Sequence, residues 1–302
     1  MFFGRTSEKQ SWIRQLVIIR PETAGSEENK MKQRVLSSVV ALPLVVAAIY
    51  FGGLSLFLLL GAAVMVGIFE FNRAFGYEDK KLLLSMTMLA AAVYIFLFYI
   101  NKIGMAQTVF GFMLMTELAA YVLLYPKLQL RQVFINIVGF LYIPYMLTHV
   151  LLMRQSLVHG KVVVWLVILI AFGSDTFAYF TGVTLGRHKL APILSPKKTI
   201  EGALGGILGS TLICLSYGLF LEWRGYFTLP LAAYASLALL GVLGSVFSQI
   251  GDLVGSAIKR ETGIKDFGRL IPGHGGILDR LDSILFVAPF VYYFMLLLHR
   301  WN

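Results

Sequence analysis

The stretch "LPLAAYASLALLGVLGSVFSQIGD", residues 229–252, decides the solvent in which this protein folds. It contains no charged residue before Asp252. A helix that crosses about 30 Å of hydrocarbon at 1.5 Å per residue needs roughly 20 mostly apolar residues. The stretch therefore predicts a transmembrane helix.

The rest of the chain has the same character, with 58% hydrophobic and only 14% charged residues among its 302. Soluble domains average about 25% charged residues. Backbone polar groups in lipid must be satisfied within their own segment, which favours helices, and the alternation typical of barrel strands is absent. We therefore expect an all-α integral membrane bundle of about nine transmembrane helices, at residues 35–51, 53–70, 82–100, 104–125, 133–152, 162–183, 202–221, 229–252 and 283–299.

The distribution of basic residues predicts the orientation of this bundle, because Lys and Arg accumulate in cytoplasmic loops. With a cytoplasmic N-terminus, 21 of the 26 basic residues fall in inside segments and five fall outside. This arrangement predicts a cytoplasmic N-terminus, an external C-terminus and a polar site on the cytoplasmic side. An even number of helices would place both termini on one side and would require a different pairing of loops.

Two regions are expected along the chain. Residues 1–30 form a polar N-terminal extension, and residues 31–302 form the transmembrane domain. The single cysteine, Cys214, excludes an intrachain disulfide.

The segment "GRHKLAPILSPKKTIEG", residues 186–202, precedes the seventh span. Ser195 or Thr199 can cap that helix, and Pro196 suits its first turn. Free amides at a helix N-terminus attract anions, and Lys197 and Lys198 strengthen the attraction. The alternative is a structural cap with flanking charges.

Carboxylates concentrate near the second polar segment, residues 252–282. Asp279 and Asp282 are three residues apart, which places them on one face of a helix, and Asp252 ends the eighth span. Magnesium binds through one or two carboxylates together with phosphate oxygens and water. A magnesium site is therefore expected, the alternative being ion pairs with Lys259, Arg260 or Arg280.

Asp175 lies inside the sixth span, where a carboxylate costs about 2.5 to 3.5 kcal/mol on insertion scales. It is expected to face a cavity, a partner or an ion. A purely structural hydrogen bond between helices is the alternative, and it is the role expected of Glu70 and Glu117.

His274 stands among glycines in "PGHGG", residues 272–276. A phosphate monoester has a second pKa of about 6 and needs no general base, so His274 is expected to position a phosphate. Gly275 and Gly276 would let the backbone approach that phosphate closely. The alternative is a turn that requires glycine for its conformation alone.

The stretch "SAIKRETGIKDFGRLIPGHGGILDRLDS", residues 256–283, resembles the signature of the phosphatidate cytidylyltransferases, also called CDP-diacylglycerol synthases. The upstream "SDTFAYFTGVTLGRHKLAPILSPKKTIEG", residues 174–202, is similar to the second conserved segment of that family, although many members have Gly or Ala at the position of Phe177. The resemblance covers residues 31–299.

The resemblance implies transfer of CMP from CTP to phosphatidate, giving CDP-diacylglycerol and pyrophosphate, with Mg²⁺ and a monovalent cation such as K⁺. It implies Asp252 and Asp279 as metal ligands, and it places the enzyme in a bacterial inner membrane, facing the cytoplasm, as a possible homodimer among membrane lipids. No nucleic acid is expected as a partner. The catalytic residues would be Asp252, Lys259, Asp279 and Asp282. Substrate and phosphate binding would fall to Lys197, Lys198, Ser256, Arg260, Lys265, Asp266, His274, Gly275, Gly276, Arg280 and Asp175.

Three other functions remain open. A cytidylyltransferase or kinase acting on a polyprenyl phosphate would share the nucleotide site and differ in its lipid groove. A transporter would distribute polar residues across both halves of the membrane. A non-catalytic paralogue would keep the fold and lose the acids, yet every signature acid is present here.

Overall fold

The computed structural model describes residues 39, 41–270 and 275–301. These residues form nine helices and one two-stranded antiparallel hairpin. The helices are α1 (Ala41–Phe51), α2 (Gly53–Ala74), α3 (Lys81–Tyr99), α4 (Ile103–Leu123), α5 (Leu130–Ser156), α6 (Gly160–Leu185), α7 (Ile200–Trp223), α8 (Leu231–Glu261) and α9 (Leu278–Trp301). The strands are β1 (Lys189–Ala191) and β2 (Ser195–Thr199), which lie between α6 and α7.

Eight of the helices in the described part of the chain are long and apolar enough to cross a membrane. Helix α1 is shorter, and most of the first six positions of the predicted span 35–51 lie outside the described residues. The expected all-α membrane bundle is confirmed, with the hairpin as its only described strand pair. The predicted extension at residues 1–30 also lies outside the described residues.

Helix α5 contains a π-helical turn, Leu141–Tyr145, with Pro144 inside it. Proline has no N–H and its ring clashes with the preceding turn, so a helix interior must widen or kink around it. Ile143 in this turn is completely buried. The wide turn brings Tyr142 into the interior of the bundle.

Helices α6 and α7 pack closely because glycines on α7 leave space for side chains of α6. A Cβ atom added to Gly205 would collide with Thr181, and one added to Gly209 would collide with Phe177. Small residues allow backbones to approach closely, which is how helices associate in lipid.

Polar groups inside the bundle are tied between helices. Ser174 of α6 and Ser245 of α8 lie within hydrogen-bond distance, with 2.8 Å between their Oγ atoms. Thr87 Oγ1 of α3 lies 2.7 Å from Glu117 Oε1 of α4, and Glu117 is fully buried. The structural role expected of Glu117 is therefore confirmed.

Helix α8 continues nine residues beyond the predicted end at Asp252, as far as Glu261. The prediction of a loop from residue 252 to 282 was therefore wrong at both ends, because α9 already begins at Leu278. Asp252, Ser256 and Lys259 follow one another at spacings of four and three, so they lie along one face of α8. The connection that remains, residues 262–277, is called the α8–α9 loop below, and its residues 271–274 lie outside the described part of the chain.

Thr199 caps α7, as expected: its Oγ1 accepts a hydrogen bond from the Gly202 amide at 3.1 Å. The prediction for Pro196 was wrong, because this residue lies in β2 and not in the first helical turn. Lys197 and Lys198 therefore extend from a strand that leads into the helix.

Candidate active site

The Asp279 carboxylate holds the α8–α9 loop against α8. Its Oδ1 accepts a hydrogen bond from Lys259 Nζ at 2.8 Å. Its Oδ2 accepts from the backbone amides of Phe267 at 2.8 Å and Gly276 at 3.0 Å. Only 4% of the Asp279 side chain is exposed. One acid therefore joins a helix to two points of the loop, Phe267 and Gly276.

Glu70, at the end of α2, supports the same loop from the other side. Its carboxylate oxygens accept the amides of Ile277 at 3.2 Å and Leu278 at 2.9 Å, at the N-terminus of α9. A carboxylate is favoured there because the first amides of a helix lack partners and carry partial positive charge. The structural role expected of Glu70 is confirmed, and the sequence signal was a buried acid within an apolar span.

Arg73, one turn beyond Glu70, also contacts the loop. Its Nη2 donates to the Phe267 carbonyl at 2.7 Å. Nothing in the local sequence of Arg73 indicates this contact, which joins positions far apart in the chain.

Lys198 of β2 forms an ion pair with Asp252 of α8. About a quarter of each side chain is exposed, so the pair is accessible from outside. The structure thus brings together two residues that the sequence assigned to phosphate binding and to metal binding, and it joins the hairpin to α8.

Asp175 and Asp282 complete a group of three acids around this ion pair. Asp252, Lys198 and Arg280 act electrostatically on Asp175. Asp252, Lys259 and Asp175 act on Asp282. Asp175 is exposed although it lies well inside α6.

Asp282 is buried against the small residues of α8. A Cβ atom on Gly255 would lie 3.1 Å from the Asp282 Cβ. Asp279 and Asp282 therefore both face α8, as their spacing predicts.

The hairpin is fixed by a second set of contacts. Glu201 in the first turn of α7 accepts the Arg187 amide at 3.0 Å and lies 2.6 Å from His188 Nδ1. Arg260 Nε donates to the Leu194 carbonyl at 3.3 Å. These contacts hold Lys197 and Lys198 beside the end of α8.

The remaining predicted residues lie around this group. Ser256 is buried on α8, whereas Lys197, Lys265 and Asp266 are exposed. Gly275 has φ +89°, a conformation that favours glycine, and a Cβ on Gly276 would meet the Glu70 carboxylate. His274 lies outside the described residues, so its phosphate role stays a prediction.

The side chains of this site that could hold Mg²⁺ are its carboxylates. Among the described residues, no three acidic, histidine or cysteine side chains are arranged to hold a metal ion. Mg²⁺ does not need three, because it usually retains water and takes one or two carboxylates together with substrate phosphates. Asp252 with a neighbouring carboxylate fits that need, whereas Asp279 would first have to give up a hydrogen bond.

The bundle therefore carries exposed cations and buried carboxylates together at one end, beside a capped helix N-terminus. These features define a polytopic membrane protein with a cluster of basic and acidic residues at one end of its bundle. The chain belongs to the cytidylyltransferase family, whose model matches residues 32–298.

Curated relatives include a phosphatidate cytidylyltransferase of Bacillus subtilis, which is 34% identical over 88% of this chain and 98% of its own length. A phosphatidate cytidylyltransferase of Synechocystis is 47% identical over 46% of this chain and 45% of its own length. One of Staphylococcus epidermidis is 49% identical over 40% of this chain and 44% of its own length.

Proposed function

We propose that this protein is a phosphatidate cytidylyltransferase, which transfers CMP from CTP to phosphatidate and releases pyrophosphate. Family membership and the near full-length similarity to the Bacillus subtilis enzyme support this function. The observation in the structure that carries it is the double pairing of Lys198 with Asp252 and Lys259 with Asp279 at one end of the bundle. In such a site the lysines can bind phosphate oxygens and the aspartates can bind a hard cation.

The reaction places few demands on covalent chemistry. The phosphatidate phosphate is largely ionised at neutral pH, since its second pKa is about 6. One of its oxygens attacks the α-phosphorus of CTP, the bond from that phosphorus to the bridging oxygen of the β-phosphate breaks, and pyrophosphate leaves with the electron pair. Positioning and charge neutralisation supply the catalysis.

The basic residues of the site would neutralise the phosphates. Lys198 and Lys197 of the hairpin would hold one group of oxygens, and Lys259 and Arg260 at the end of α8 would hold another. Mg²⁺, when bound at Asp252, would add Lewis acidity and orient the triphosphate. A monovalent cation, and Asp279 as a second metal ligand, stay predictions.

Ligand binding would change the ion pair between Lys198 and Asp252. Lys198 would bind a phosphate more strongly after leaving Asp252, and Asp252 would bind a cation more strongly after leaving Lys198. Nucleotide and Mg²⁺ therefore each free a partner for the other, which supports their joint binding.

An apolar groove beside the site supports a lipid substrate. It has a volume of about 430 Å³. Phe71, next to Glu70, forms part of its wall, and Glu261 at the end of α8 forms another part. The other lining residues are Phe75, Leu130, Arg131, Phe134, Ile135 and Val138. An acyl chain in this groove would leave its headgroup near the ion pairs.

The site is proposed to face the cytoplasm of a bacterial plasma membrane. The excess of basic residues in the loops at this end supports that orientation. A homodimer is a further prediction.

The test is incorporation of CTP labelled at its α-phosphate into lipid by the purified protein in mixed micelles. Parallel reactions contain phosphatidic acid, a polyprenyl phosphate or no lipid phosphate, each with and without Mg²⁺. Label that requires phosphatidic acid and Mg²⁺ establishes the function. Label only with the polyprenyl phosphate reassigns the lipid, and no label from a folded sample refutes the proposal.

A further inference from the structure

Tyr142 has a buried hydroxyl with no hydrogen-bond partner in the described part of the chain. The residue lies in the π-helical turn of α5 and is 6% exposed. A buried hydroxyl without a partner costs about 1–3 kcal/mol. Phenylalanine would fill the same space without that cost, so packing alone does not explain a tyrosine here.

The surroundings of Tyr142 place it beside the carboxylates of the site. Its ring centroid lies 6.0 Å from that of Phe71 and 6.4 Å from that of Phe286. Phe286 packs against Gly251, where an added Cβ would lie 3.1 Å from its ring, and Gly251 precedes Asp252. The ring is therefore one side chain away from the turn of α8 that carries Asp252.

The charges of Asp282 and Asp252 both act on Tyr142, and the effect of Asp282 is the larger. Asp282 itself has one oxygen, Oδ1, bonded to the Ser283 amide at 2.8 Å. The groups that act on this carboxylate from neighbouring elements are Lys259, Asp252 and Asp175. These acids lie close together, and what this set lacks is a neutral hydroxyl that donates a hydrogen bond to one of the carboxylates.

Two further hydroxyls support this reading. Ser248, one turn before Asp252, and Ser283, next to Asp282, are also buried without a partner in the described residues. Three unpaired hydroxyls on α5, α8 and α9 thus lie close in sequence or in space to the same two carboxylates. The interior of the bundle near Asp252 and Asp282 therefore contains more polar groups than helix packing requires.

We propose that Tyr142 is a positioning residue for the transfer reaction. When a divalent cation displaces Lys198 from Asp252, the Tyr142 hydroxyl donates a hydrogen bond to Asp282 and fixes the orientation of the Asp252–Asp282 pair toward that cation. The catalytic part of this inference rests on the proposed function. The part that concerns cation binding does not.

The test compares Tyr142→Phe with Tyr145→Phe. Tyr145 lies in the same π-helical turn, but its hydroxyl is 3.3 Å from that of Tyr293 and the residue is 37% exposed. The first measurement is the Mg²⁺ concentration that gives half of the maximal thermal stabilisation in MgCl₂ alone. Loss of a group that orients metal ligands typically weakens metal binding by about 10–100-fold, so we expect that concentration to rise about tenfold or more for Tyr142→Phe only.

The second measurement is kinetic. For Tyr142→Phe we expect kcat to fall by about 10–100-fold, as for other groups that orient metal ligands, while KM for CTP changes little. Without Mg²⁺, the Tm of this variant should equal or exceed that of the wild type, because an unpaired hydroxyl has been removed.

The outcomes separate the two proposals. A wild type that transfers no CMP refutes the proposed function, and the Mg²⁺ titration then decides the role of Tyr142 alone. The positioning role is overturned by an unchanged Mg²⁺ midpoint in Tyr142→Phe, by the same change in Tyr145→Phe, or by a wild type that MgCl₂ does not stabilise. A lower Tm of Tyr142→Phe without Mg²⁺ would likewise overturn it, because the residue would then act through packing.

Discussion

Replacement of Asp279 by Asn tests whether one carboxylate holds the α8–α9 loop. Asp279 accepts three hydrogen bonds through its two oxygens, one from Lys259 and two from backbone amides. Asparagine keeps the shape but only one acceptor oxygen. If that oxygen keeps the two amides, the NH₂ group of the asparagine must face the Lys259 ammonium.

The expected cost follows from the burial of the pair. Side-chain exposure is only 14% for Lys259 and 4% for Asp279. Removal of one partner of a buried pair costs about 3–5 kcal/mol, because the other charge stays buried without compensation. The loop can open without unfolding the bundle, so we expect this cost to appear as local opening of residues 262–277.

Hydrogen exchange measured by mass spectrometry reports that opening. Each 1.4 kcal/mol is a factor of ten in an equilibrium constant, so peptides from the loop should exchange roughly a hundredfold faster or more, while those from α2 to α5 stay unchanged. CMP transfer should be lost as well. The matched control is Asp266→Asn, which removes an exposed charge from the same loop.

The double variant Lys259→Met, Asp279→Asn sharpens the test. Removal of the buried ammonium should return part of the lost protection, because the uncompensated charge is gone. Wild-type exchange of the loop in Asp279→Asn would refute the proposed anchoring role, and loss of activity in that variant would then have to come from direct contact with metal or substrate.

Three further predictions concern other parts of the fold. Glu70→Gln should lower the Tm and speed hydrogen exchange at the start of α9, because glutamine keeps only one acceptor oxygen: one of the two amides loses its charge-assisted bond, worth about 1.5–3 kcal/mol, and the other keeps a weaker neutral bond. An unchanged Tm and exchange rate would contradict this prediction. Gly209→Ala should destabilise the protein by about 1–3 kcal/mol through overpacking, and Phe177→Leu should relieve part of this loss in a thermal melt of the double variant. Lys198→Met should raise KM for CTP about tenfold in the radiolabel assay, since one charge-assisted contact to phosphate contributes about 1.5–3 kcal/mol, and an unchanged KM would remove Lys198 from the nucleotide site.

Much of the fold could be predicted because membrane helices follow directly from apolar length. The end of α8 could not, because the turns that carry Ser256 and Lys259 are polar and leave the hydrophobic run while remaining helical. Hydropathy marks where a segment leaves lipid and does not mark where its backbone hydrogen bonds stop.

That these candidate residues lie together was easier to predict than the contacts they make. The unusual density of acids and bases indicated Asp252, Asp279 and Asp282. The three bonds of Asp279 could not be predicted, because two of them come from amides whose directions depend on the conformation of the loop. Tyr142 gave no signal of its own, since a tyrosine in an apolar span is ordinary and only the neighbouring Pro144 marks the turn.

The ion pair between Lys198 and Asp252 bears on how the site binds its ligands. A lysine held by an aspartate is a poor phosphate ligand, and an aspartate held by a lysine is a poor metal ligand. In the proposed function, CTP and Mg²⁺ would release the two partners from each other. Each ligand would then lower the cost of binding the other, and linkage requires that such a coupling be reciprocal. The same pairing keeps the charges compensated when no substrate is bound, which a group of acids near lipid requires. Pairing that stabilises the protein would therefore also favour binding of the nucleotide together with its cation over binding of either alone.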